Sequence, residues 1–169
     1  MKFYLKLKAF ADRMAEVLLW ISTFFMCVLI FASFMQVFTR YVLNSSWPWT
    51  EELARYSFIW TILSGAAAGL HRGGLVAVTI LPDALHGLAK RIVVGFSYVC
   101  LLFGSLIFLI YGAKLVMLVG GSPSVVMRIP MGFVHVSLAI SGLCMTVGSV
   151  CGLMRCIFTD LDEEKEVAE

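Results

Sequence analysis

Charge is what this 169-residue chain has least of. Only 14% of its residues are charged, 60% are hydrophobic, and the mean hydropathy is +0.92. A soluble domain carries about 25% charged residues and about 45–50% apolar ones. Disorder is excluded, because it needs low hydrophobicity. A soluble globule of this length lacks the interior to hide so much apolar surface. Nucleic-acid binding is disfavoured by a net charge of +2 and the lack of a basic cluster between the apolar runs. The surplus apolar surface has to face lipid.

Other absences narrow the chemistry. The 5 cysteines are an odd number with no CxxC pair, and most fall inside apolar runs. They read as small apolar residues in lipid, not as a thiol-exchange centre. The 3 histidines, His71, His86 and His135, share no depth, so paired haem ligation is disfavoured. His135 is an ionisable group inside an apolar run and therefore a suspect by default; the plainer reading is a neutral imidazole bonded to a neighbouring helix. Gln36 is a second polar suspect. No nucleophile motif, phosphate loop or metal spacing occurs, so no enzyme activity and no cofactor is expected. No carboxylate lies deep in any apolar run, whereas a self-sufficient coupled transporter usually places one mid-membrane.

The few charges that exist parse the chain. Runs 17–39, 56–70, 92–113 and 129–154 contain none. About 20 residues cross the hydrocarbon as a helix, so the second run crosses only if its helix starts earlier, near Trp49 or Glu51. The expected fold is all-α, a single four-helix transmembrane domain over 1–169 with spans near 17–39, 51–71, 92–113 and 129–154. The first run is read as a retained span, since its apolar core is too long for a signal peptide and no small-x-small site follows. Lys2, Lys6, Lys8, Arg13, Arg72, Lys90, Arg91, Arg155 and Lys165 fall on one side; Arg40, Arg55, Lys114 and Arg128 fall on the other. The positive-inside rule puts both termini in the cytoplasm.

The connecting segments carry patterns of their own. Phe3, Leu7, Phe10 and Met14 share one helical face flanked by basic residues. This predicts a short interfacial helix, with a basic extension of the first span as the alternative. Leu81, Leu85 and Leu88 behind Pro82 predict a second surface helix before the third span. The Ile129-Pro130 step is expected to open the fourth span, and 160–169 is an acidic solvated tail.

The positive signal is Ser46-Trp47-Pro48-Trp49-Thr50-Glu51-Glu52-Leu53-Ala54-Arg55-Tyr56. Thr50 is expected to cap a helix whose first turn holds both glutamates. Arg55 is spaced to pair with Glu51 or Glu52, and Arg40 is the nearest further counter-charge. Trp47 and Trp49 suit an aromatic belt at the outer interface. Gly65 and Gly69, and again Gly148 and Gly152, form GxxxG spacings that permit close helix approach. They serve either packing of the second span on the fourth or a partner protein.

Gln36-Val37-Phe38-Thr39-Arg40-Tyr41-Val42-Leu43-Asn44, the Trp47–Tyr56 block, Trp60, Gly65-Ala66-Ala67 and His71-Arg72 together resemble the small membrane (Q-type) subunit of TRAP transporters, the tripartite ATP-independent periplasmic transporters. The resemblance covers about residues 10–157. It departs at 73–79, where a pattern like H-x-x-V-D is missing. The resemblance implies a scaffold-like subunit in the bacterial inner membrane. Its implied partners are a large permease subunit, which holds the sodium and substrate sites, and a periplasmic substrate-binding protein that delivers an organic acid of C4-dicarboxylate or sialic-acid type. Lipid is the remaining contact. Two other classes stay open from the residues alone: an anchor subunit of a redox or quinone-linked complex with His135 as ligand, and a small homodimeric transporter.

Overall fold

The computed structural model describes residues 2–45, 47–71 and 88–158. These form four helices: α1 (Lys2–Tyr41), α2 (Pro48–His71), α3 (Leu88–Val119) and α4 (Gly132–Phe158). Among the described residues three helical stretches are long and apolar enough to cross a membrane: Ala9–Tyr41, Ile92–Val119 and Gly132–Met154. The predicted surface helix around 81–91 lies largely outside the described residues, as do the acidic tail and any entry of 75–81 into the membrane.

α1 differs from expectation at its start. The amphipathic segment is continuous with the span, so the extension reading describes it better than a separate helix. The cause is local: no glycine or proline occurs between Met1 and Arg40, and nothing breaks the hydrogen-bond ladder. α1 ends where Asn44 takes a φ of 46°, a left-handed conformation that asparagine tolerates. α2 starts at Pro48, whose missing N–H is harmless in a first turn. Thr50 is therefore inside the helix, not its cap. Its hydroxyl donates to the Trp47 carbonyl at 2.7 Å instead of accepting from the backbone.

The helices form an open slab in the order α1, α2, α4, α3. α1 packs on α2 and more lightly on α4, α2 packs on α4, and among the described residues α3 packs on α4 alone. On α1, Ala11, Ala15, Leu18, Ser22 and Phe25 recur at alternating spacings of four and three, and Ala32 follows one heptad on, the seam geometry of paired helices. Ser22 donates to the Thr61 carbonyl of α2 at 3.0 Å, and Phe25 stacks on Trp60 with ring centroids 5.2 Å apart. The opposite face of α1 exposes Trp20, Phe24, Phe31 and Phe34.

The tightest contact joins α3 to α4. A Cβ on Gly112 would lie 2.9 Å from the Ala139 nitrogen, and one on Gly142 would lie 2.7 Å from the Leu109 nitrogen. The two backbones therefore touch, which small residues permit and lipid-embedded helices need. Thr146 donates to the Ser105 hydroxyl at 3.0 Å further along the same seam, and Gly152 lies under the Tyr98 ring. Of the other GxxxG glycines, Gly65 faces Ser22 of α1 and Gly148 faces the His71 ring of α2; Gly69 has nothing within 4 Å. The two motifs thus do not meet each other.

Two substitutions separate these positions. Gly142→Leu forces a side chain into the Leu109 backbone and is expected to destabilise the purified protein by about 3 kcal/mol. Gly69→Ala meets open space and is expected to stabilise it by about 0.5–1 kcal/mol through helix propensity. Thermal melting in detergent measures both; equal melting of Gly142→Leu and the parent would refute the α3–α4 contact.

Candidate functional site

Adjacent residues on a helix point about 100° apart, and at the start of α2 that rotation gives two glutamates different fates. Glu51 stays in the open and pairs with Arg55 at 3.0 Å, both side chains about two-thirds exposed. Such a pair contributes about 0–1 kcal/mol. Glu52 turns inward and is 8% exposed. One carboxylate oxygen accepts the Tyr56 hydroxyl at 2.7 Å. The other accepts the backbone N–H of Met127 at 2.7 Å and of Val126 at 3.2 Å. The buried Ser124 hydroxyl lies beside the group but in hydrogen-bonding geometry to none of it. Glu52 thus clamps the amino-terminal end of α2 to the loop between α3 and α4. Successive backbone N–H groups favour an anion there without a cation.

That loop is built to present those amides. Pro123 and Pro130 form an isolated antiparallel bridge. Neither proline has an N–H, so their neighbours close it: Ser124 donates to Ile129 at 2.9 Å and Met131 to Ser122 at 2.9 Å. Arg128 completes the turn with a φ of 53°. Pro130 consequently stands before α4, which begins at Gly132, and does not open the helix as expected. Met131 also brings its sulfur to 3.6 Å from the Tyr56 oxygen, and Phe133 packs on Trp60 with centroids 5.3 Å apart.

The remaining predicted residues are scattered around this clamp. Trp47 and Trp49 stack on each other at 6.0 Å, with Trp47 exposed. Arg40 is exposed and forms no ion pair among the described residues, so the donors on Glu52 are Tyr56 and the loop amides, in place of the expected arginine. Gln36 is exposed on α1. His135 bonds through Nδ1 to the Met131 carbonyl at 2.7 Å, just ahead of its own helix, where a neighbouring helix was expected. At the other end of α2, His71 brings Nε2 to 3.4 Å from the Asp12 carboxylate of α1.

Sequence reasoning missed the role of Tyr56, although its spacing four residues after Glu52 is visible. It also missed the amides of Val126 and Met127. Backbone donors leave no mark on residue identity.

A family model described as the DctQ component of tripartite ATP-independent periplasmic transporters matches residues 29–159. No curated protein matches the chain.

The clamp predicts an asymmetry between neighbours. Glu52→Gln is expected to speed hydrogen exchange at the Val126 and Met127 amides roughly tenfold or more, because it weakens a charge-assisted acceptor. Glu51→Gln is expected to leave those amides unchanged. Equal exchange in both variants would mean the loop is held by something else.

Proposed function

Since the chain belongs to the DctQ component family of tripartite ATP-independent periplasmic transporters, we propose that it is the small, scaffold-like membrane subunit of a sodium-driven uptake system for organic acids of the C4-dicarboxylate or sialic-acid type. It works beside a large permease subunit, which carries the sodium and substrate sites, and a periplasmic substrate-binding protein. In this reading the chain is one transmembrane domain. α2 crosses the bilayer as a fourth span between α1 and α4, and both termini lie in the cytoplasm of a bacterial inner membrane.

One observation carries the scaffold role. Glu52 is the only buried carboxylate among the described residues, and its oxygens are occupied by donors of its own chain. A carboxylate that serves an ion-coupling site needs oxygens free to take the cation. The acid here fixes a loop instead. α1 and α3 each leave a broad apolar face uncovered by the rest of the chain, which is area for a large partner as well as lipid. Arg40, Trp47, Trp49, Glu51 and Arg55 cluster in sequence around the outer end of α2, and we assign them to ordering that end. Gly65, Gly148 and Gly152 serve internal packing in this reading, and Gly69 is free for a partner.

Reconstitution into liposomes tests the proposal. With an inward sodium gradient, uptake of a C4-dicarboxylate or a sialic acid is expected only when the large permease and the binding protein are both present. Uptake by this chain alone would overturn it. Glu52→Ala is expected to lower co-purification with the large permease severalfold, and normal assembly would remove that residue from the interface argument.

A further inference from the structure

Helical serines and threonines inside an apolar layer usually satisfy themselves. Their hydroxyls bond a carbonyl three or four residues back. This chain follows the rule at Thr61, Ser64, Ser97, Ser105, Ser137 and Thr146. Ser57 and Ser141 break it: both are 1% exposed and neither hydroxyl has a partner among the described residues. The indole N–H of Trp60 is buried without a partner as well. Buried polar groups left dry are costly, and native proteins rarely keep several together.

These groups share a location. On α2, Ser57, Trp60 and Ser64 recur at three and four residues, one face of the helix. Trp60 on that face lies between Phe25 of α1 and Phe133 of α4, so the face looks into the junction of the three helices. Further in, Ala67 and Ala68 cluster with Cys144 and with Leu18 of α1. Ser141 lies on α4 one turn outward of Cys144. The polar atoms therefore begin at the Glu52 clamp, continue inward at each turn, and stop at an apolar plug. Ser149, also without a partner, lies inward of the plug and is not part of the series.

We propose that ordered water occupies the seam where α2 meets α4 and α1, admitted from the outer side at the Glu52 clamp and stopped toward the inner end of α2 by Leu18, Ala67, Ala68 and Cys144. Water is the ligand whose size and two-way hydrogen bonding suit isolated hydroxyls and an indole N–H. A crevice closed at one end hydrates the seam and opens no path through the slab. The inference stands on the seam alone and does not depend on the transport reading above.

Two measurements on the full chain in lipid nanodiscs test it. Alanine is a better helix former than serine, so in a dry seam Ser57→Ala and Ser141→Ala leave the melting temperature unchanged or raise it. In a hydrated seam each loses bridged hydrogen bonds, and each is expected to lower it by roughly 2–4 °C. Ser97→Ala, which removes a self-satisfied hydroxyl, is the control. In the unmodified protein, nuclear magnetic resonance on ¹⁵N-tryptophan is expected to show magnetisation transfer from water to the Trp60 indole N–H, its resonance identified by Trp60→Phe. Unchanged or raised melting in either serine variant, or no water transfer at Trp60, overturns the proposal.

Discussion

A carboxylate leaving water must find donors, and Glu52 finds three within its own chain. The arrangement depends on that capture. Two of the donors belong to a loop more than seventy residues further along the sequence, so one side chain sets α2 against the α3–α4 hairpin. Once the clamp fixes their amino-terminal ends, parallel α2 and α4 keep their register along their length. Met131 meets Tyr56, Phe133 meets Trp60, Cys144 joins Ala67, and Gly148 meets His71. Breaking such a network strands a buried charge, which costs far more than losing a surface pair.

The slab has no core in the sense of a soluble domain. In α1 and α3 only 11% of the membrane-crossing window is buried. Lipid tails are as apolar as leucine, so burying apolar surface gives helices little reason to associate there. Cohesion comes from close backbone approach at Gly112 and Gly142, from the Ser105–Thr146 hydrogen bond, and from the aromatic contacts of Phe25, Trp60 and Phe133. Among the described residues α3 has one neighbour only. Its tight seam with α4 is the physical requirement of that isolation.

Much of the architecture was legible because charges are costly in lipid and few in this chain. Their gaps marked out the apolar helices, and the start of α2, expected near Trp49 or Glu51, falls at Pro48. The division of labour between Glu51 and Glu52 was not legible: Arg55 is spaced for both, and only the rotation of α2 against its neighbours decides which one is exposed. The glycines of closest backbone approach went unmarked for a related reason. A GxxxG motif is a property of one helix, whereas Gly112 and Gly142 meet the backbone of the other helix, and neither belongs to such a motif. The amphipathic pattern near the amino terminus was real as a pattern. Periodicity alone carries no information about whether a helix is interrupted, and the absence of any breaker up to Arg40 decided the outcome.

α2 holds these observations together. It is the shortest helix and falls short of a membrane span on hydropathy, yet, like α4, it is packed on both sides. Both facts have one cause. Polar side chains in lipid need shielding, and α2 carries Glu52, Ser57, Ser64 and His71 along its length. It is tied at its amino-terminal end to the loop before α4 through Glu52, and at its carboxy-terminal end to α1 through the His71–Asp12 contact. The apolar helices α1 and α3 take the two edge positions, where little of either is covered. Polarity, which made the second apolar run look weakest in the sequence, is the property that favours its interior position beside α4.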